Sequence, residues 1–240
     1  MPLVPEMFAS SIVAVGAFNP AIFGPDWLVR NGLLGNGDAE IARASESFIA
    51  SAQLLAVQTE WFALQVVSNQ FSITSQGPLS PAIKDLAVGI LTLVPQTPIT
   101  AIGLNFMGHY KMTSHHAYNK VGDTFAPKKI WREVFPDEQD NAGMSDMTIV
   151  IQKVKIEESG ERTVLSPSYK RITLQPSTKV KLGLFGLYND HREIVLADLK
   201  DKTAAEQARD LINDDWKTSW DASLQVFDGL ISRALAEESL

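Results

Sequence analysis

The chain has 240 residues, 45% of them hydrophobic and 20% charged, with a formal net charge of −7 and no cysteine. That apolar content can bury enough surface to offset chain entropy, which excludes a disordered chain. The missing cysteines exclude disulfides, thiolate nucleophiles, zinc fingers and iron–sulfur clusters.

Charge is unevenly spread. Residues 1–110 carry three basic and seven acidic side chains, residues 111–181 twelve and nine, and residues 182–240 six and twelve. A middle segment at +3 is a small surplus for gripping nucleic acid. The first basic residue is Arg30 and the longest apolar run is "LAVGILTLV". Neither a secretory signal nor a membrane span is expected, and the reading is a soluble cytoplasmic protein with no membrane contact.

The elements follow in chain order. "SSIVAVGAFNPAIF" is β-branched and stops at Asn19-Pro20, so it reads as a buried strand. "GPDWLVRNG" opens a helix at Pro25 and Asp26 and stops it at Gly32. "GLLGNG" reads as a flexible turn, because no lysine follows it as a phosphate loop requires. "ESFIASAQLLAVQTE" fits a helix by length and a strand by alternation. In "WFALQVVSNQFSITS", Phe62, Leu64 and Val66 alternate before the "SN" turn and are followed by Phe71 and Ile73, the pattern of a β-hairpin with one buried face. "LSPAIKDLAVGILTLV" is a helix capped by Ser80, with Pro81 at its first position and a stripe of Ile83, Leu86, Ala87, Ile90 and Leu91. "TPITAIGLNFMGHYKM" is a strand with Ile102, Leu104, Phe106 and Tyr110 on one face and Gly103, Asn105, Met107, His109 and Lys111 on the other.

Residues 113–145 read as polar and irregular, with a short helix from Pro127 whose Ile130, Trp131 and Val134 pack into the core. "DMTIVIQKVKI", "SYKRITLQ" and "KVKLGLFGLY" are strands, and "EESGER" is a turn. "LYNDHRE" reads as a turn gathering Asn189, Asp190, His191 and Arg192. The chain closes with a long helix. Thr203 and Glu206 form its capping box, and Trp216, Trp220, Leu224, Phe227, Ile231 and Leu235 line one face. Strands do not alternate regularly with helices. The expected fold is therefore α+β, a mostly antiparallel sheet with helices on one side and a long C-terminal helix. It forms one domain over residues 1–240, divisible into halves 1–112 and 146–240. "VSNQFSIT" and "LYNDHREIV" hint at a duplicated β-hairpin–helix unit.

"VGAFNPAIFGPDWL", "WFALQVVSNQFSITSQGPLSPAIKDLAVGIL", "TPITAIGLN", "LQPSTKVKLGLF" and "SWDASLQVFDGLI" together resemble, in order and over most of the chain, a sporadically distributed family of uncharacterised bacterial proteins of similar length. The resemblance implies an architecture and a bacterial origin and brings no catalytic residue with it. Sporadic distribution suggests carriage on mobile elements, where defence modules travel.

Candidate chemistry is sparse. "HYKMTSHH" holds His109, His115 and His116, and with Asp123 these are the candidate metal ligands. They fit no H-E-x-x-H or H-x-E pattern, and polar loop residues are the plainer reading. No G-x-S-x-G elbow is present, and Asp214-Asp215 reads as a solvated helix surface. Lys128, Lys129, Trp131 and Arg132 interleave bases with an aromatic and are the candidate nucleic-acid contacts. The rings of Trp216, Trp220 and Phe227 need an apolar partner. The chain's own sheet is the first choice, and a second copy or another protein is the alternative, which makes them candidate interface residues. The reading is a non-enzymatic macromolecule-binding or assembly component that pairs with another protein or itself and uses no cofactor. The alternative is a metal-dependent or nucleic-acid-processing enzyme using the 105–132 region.

Overall fold

The computed structural model describes residues 3–76, 81–137, 142–199 and 201–236. In chain order the elements are β1 (Met7–Gly16), α1 (Pro25–Arg30), α2 (Asn36–Ala44), β2 (Ile49–Ala50), β3 (Leu54–Gln58), β4 (Phe62–Val67), β5 (Gln70–Ser75), α3 (Pro81–Leu93) and β6 (Ile99–Lys111). Then follow α4 (His115–Phe125), α5 (Lys128–Val134), β7 (Met147–Ile156), β8 (Arg162–Pro176), β9 (Gly183–Glu193), a 3-10 turn at Leu196–Asp198 and α6 (Ala204–Ala236). The fold is α+β, as expected.

All strands join one nine-stranded antiparallel sheet in the order β2-β3-β4-β5-β1-β6-β9-β8-β7. β1 and β6 are neighbours at its middle. Outward from each come the last strand of its half and then the earlier ones. The topology therefore repeats as strand, two short helices, a strand meander and a packing helix. The hairpin–helix units are β4–β5–α3 and β8–β9–α6. β6 opens the second repeat, so the halves divide between Leu93 and Ile99 rather than at residue 112. Residues 113–137 are not irregular: they include α4 and α5, which match α1 and α2 in order. Similarly, "GLLGNG" runs directly into α2, and the ambiguous segment after it becomes β2 and β3.

Period-two alternation decides the faces. Phe62, Leu64, Val66, Phe71, Ile73, Ile12, Ala14, Ile102, Leu104, Phe106 and Tyr110 point to one side and are buried there. The α3 stripe of Ile83, Leu86, Ala87, Ile90 and Leu91 is buried as predicted. Its Ser80 cap lies outside the described residues. α6 begins at the predicted capping box: the Thr203 N–H donates to Glu206 Oε2 (2.8 Å) and the Glu206 N–H to Thr203 Oγ1 (3.2 Å). Trp216, Phe227 and Ile231 are buried, Trp220 is half-buried, and Leu235 is exposed. Trp216 and Trp220 meet Phe106 with ring centroids 4.9 and 5.5 Å apart, and Phe227 meets Tyr110 at 5.5 Å. The terminal stripe thus closes the chain's own core, with Trp216 and Phe227 buried in it and Trp220 at its margin. Gly186 permits this approach, because a Cβ there would lie 2.6 Å from the Phe227 ring.

The opposite face of the sheet stays outside the core. Among the described residues it presents Leu54, Ala56 and Gln58 on β3, Ala63, Gln65 and Val67 on β4, Gln70, Ser72 and Thr74 on β5, and Met7, Ala9, Ser11, Val13 and Val15 on β1. None of these is charged.

Candidate functional site

The uncovered face gains its chemistry on β6, β9 and β8. β6 places Asn105, Met107 and His109 there, opposite Asn189, Leu187 and Phe185 of β9. β8 adds Tyr169, Arg171, Thr173 and Gln175. Asn189 Nδ2 donates to Asn105 Oδ1 (2.7 Å). The His191 ring stacks on Tyr169 at 4.4 Å, Arg171 lies 5.3 Å from the same tyrosine ring, and His191 Nε2 is 3.1 Å from Glu193 Oε1.

His109 lies at the edge of a half-open hollow of roughly 330 Å³ shared with Met7, Met107, Gln175, Lys179 and Phe185. The residue is 8% exposed, and its ring centroid lies 5.0 Å from that of Phe185. Its Nδ1 is 2.8 Å from Ser177 Oγ. That oxygen already accepts the N–H groups of Lys179 (3.1 Å) and Val180 (2.9 Å) in the turn after β8. A hydroxyl has two acceptor positions and one proton. Ser177 therefore donates to Nδ1, and the neutral ring carries its proton on Nε2. Burial, and then the Lys179 ammonium, push the His109 pKa below 6.5. The unfolded chain takes up this proton first, so the His109 contribution to stability is present above pH about 6.5 and is lost as pH falls through the folded value. The expected NMR midpoint for His109 is below 6.5, and a midpoint above it would contradict this environment.

The residues singled out from sequence do not converge. His115 and His116 are exposed in the first turn of α4, which Ser114 caps through the Ala117 N–H (3.1 Å). Asp123 pairs with Lys128 at 3.1 Å. Among the described residues no group of three or more His, Asp or Glu is placed to hold a metal ion. Lys129 and Arg132 are exposed on α5. The expectation that α5 buries its apolar residues is overturned: Ile130, Trp131 and Val134 are 60, 48 and 62% exposed, and Phe135 after the helix is exposed too. Length is not the cause, since the six-residue α1 buries Leu28; α5 has no buried residue because no element covers its apolar face.

The "LYNDHRE" segment is not a turn but the second half of β9. Alternation sends Asn189, His191 and Glu193 to the uncovered face and Asp190 and Arg192 toward α6. Asp190 is 2% exposed. Arg192 holds it through Nε–Oδ1 (2.8 Å) and Nη2–Oδ2 (3.1 Å), and Ser219 Oγ donates to Oδ2 (2.6 Å). Asp215 completes the cluster 3.2 Å from Arg192 Nη2, while Asp214 is exposed. Burial opposes the Arg192 charge, but its two carboxylate neighbours outweigh that and hold its pKa above the ordinary value. Nearby, the buried Tyr188 hydroxyl has no hydrogen-bond partner among the described residues, and burial followed by Asp190 pushes its pKa up to about 12. Removing an unpaired buried hydroxyl removes only a cost. Tyr188→Phe is therefore expected to leave unfolding stability unchanged or raise it by about 1 kcal/mol, and a loss beyond that range in urea titration would show a bond not seen here.

The outer strand β7 differs from the other edge of the sheet. β2 is two residues long, whereas β7 has ten and exposes Ile149, Val150 and Ile151 by 47, 51 and 54%. No family model and no curated protein matches the chain. Among the described residues no helix is long and apolar enough to cross a membrane.

Proposed function

We propose that this protein is a non-enzymatic, macromolecule-binding assembly component that pairs through β7, with a second copy of itself as the occupant of that edge. The observation that carries the reading is the run Ile149-Val150-Ile151, half-exposed on a ten-residue edge strand. An outer strand offers a row of unpaired N–H and C=O groups, and proteins ordinarily blunt such edges with charge, proline or brevity. β2 is blunted by brevity. β7 is blunted only in its second half, by Lys153, Lys155 and a bulge between Gln152 and Val154, while its first half carries β-branched residues pointing to both sides of the sheet.

A second copy fits because β7 is polarised. Asp146 precedes it and Lys153 lies in its second half, and neither has an ion pair among the described residues. Antiparallel pairing about a two-fold axis sets the acidic start of one strand against the basic end of the other. The joined sheet would present two uncovered, largely uncharged faces side by side. The sequence resemblance and the absence of cysteine favour a bacterial cytoplasmic setting, with a mobile-element defence module as the larger system. The enzyme alternative has less support, since His109, His115 and Asp123 form no metal-holding group among the described residues and Asp123 is instead paired with Lys128 of α5.

Sedimentation equilibrium tests the reading. The wild-type chain is expected to be a dimer at micromolar concentration, and Ile151→Lys, on an exposed position, is expected to be a folded monomer. A wild-type monomer, or a dimer unchanged by Ile149→Lys and Ile151→Lys, would overturn it.

A further inference from the structure

We infer that the hollow at His109 is a binding site for a compact monocarboxylate with an apolar body. The inference does not rest on pairing through β7: His109 lies on β6, with β9 and β8 between it and that edge strand.

Three observations meet here. First, His109 is nine-tenths buried, its Nδ1 is fully used by Ser177, and its Nε2 bonds to no group among the described residues. His109 lines the hollow, and with Nδ1 occupied the Nε2 N–H is the one donor its ring has left to offer. Second, Lys179 lines the same hollow and has no ion pair among the described residues. The nearby acid Glu6 is held by Lys111 at 3.5 Å. In a chain of net charge −7, an unpaired ammonium beside an oriented imidazole N–H favours an anion with two oxygens. Third, most of the remaining lining is apolar and adaptable: Met7, Phe8, Ala9, Met107 and the Phe185 ring, with Gln175 and Thr178 as its neutral polar members. Thioethers and an aromatic face suit a short hydrocarbon or ring rather than a second charge. Roughly 330 Å³ is at the small end of ligand pockets and fits a single compact acid. A free small acid and the C-terminal carboxylate of a chain ending in an apolar residue share this chemistry.

The test is an NMR titration following the Met7 and Met107 methyl signals of the full chain. The probes are 3-phenylpropionate, its amide, and a hexapeptide ending in phenylalanine with a free or amidated C-terminus. The methyl shifts are expected to saturate with a free carboxylate. The matching amide is expected to bind about ten-fold more weakly or worse, one charge-assisted contact being worth at least that factor. Lys179→Met, at an exposed position, is expected to weaken carboxylate binding to the level of the amide and leave the amide unchanged, and Lys179→Arg is expected to restore it. Tighter binding of 3-phenylpropionate assigns the site to a free acid, and tighter binding of the free-ended peptide assigns it to a chain terminus. Methyl signals that fail to saturate with either carboxylate, or equal affinity for acid and amide, would overturn the inference.

Discussion

Asp190→Ala is expected to lower the unfolding free energy by about 3–5 kcal/mol, the usual cost of removing one partner of a buried ion pair. Asp190 is 2% exposed and accepts three bonds, two from Arg192 and one from Ser219. Alanine would leave the Arg192 guanidinium half-buried, with Asp215 alone to balance it, and would orphan the buried Ser219 hydroxyl. The cluster ties β9 to α6, and the partly exposed Asp215 cannot also supply the acceptor that Ser219 loses. Asp190→Asn keeps the shape and an acceptor for Ser219, and should cost less. For a chain of this size each kcal/mol moves the melting temperature by about 2–4 °C. Urea unfolding of both variants checks the prediction, and a loss under about 1 kcal/mol for Asp190→Ala would mean that water satisfies this cluster as well as Asp190 does.

Phe227→Ala should be comparably damaging, at about 3–5 kcal/mol, because the ring is fully enclosed and alanine keeps the helix while emptying the site. Phe227 is 1% exposed, packs on Tyr110, and lies over the backbone of Gly186. The last contact supplies a stricter check. Gly186→Ala alone forces its Cβ to within 2.6 Å of the ring and should cost about 1–3 kcal/mol. In the Phe227→Ala background that penalty should largely disappear, so the pair should be strongly non-additive in a double-mutant cycle. Additive losses would place the ring elsewhere.

Where one periodicity ran long enough, the sequence was a sufficient guide. The α3 stripe, the Phe62–Ile73 hairpin, the two faces of β6 and the Thr203 capping box each rest on local chemistry that repeats over several residues, and each is found in place. α2 and α4 were missed because their polar, glycine-containing turns carry little apolar pattern. The "LYNDHRE" error has a different cause. Asn, Asp and His favour turns, but cross-strand pairing overrides that preference when both faces of the strand have partners, here α6 on one side and Tyr169 with Asn105 on the other. His109 could be placed on the polar face of its strand, yet Ser177, Lys179 and Phe185 come to it from about 70 residues away. No spacing rule reaches that far. The α5 reading failed because an apolar spacing shows which residues share a face and says nothing of whether another element covers that face.

Amide hydrogen exchange on β7 tests the central claim most directly. Half of its amides face β8, and the alternate amides face outward, where only a partner strand can protect them. If β7 is an assembly edge, the outward amides around Val150 will be protected at high protein concentration and lose that protection on dilution, while the inward ones stay unchanged. Outward amides that exchange at the unprotected rate at every concentration, with or without Ile151→Lys, would contradict the account.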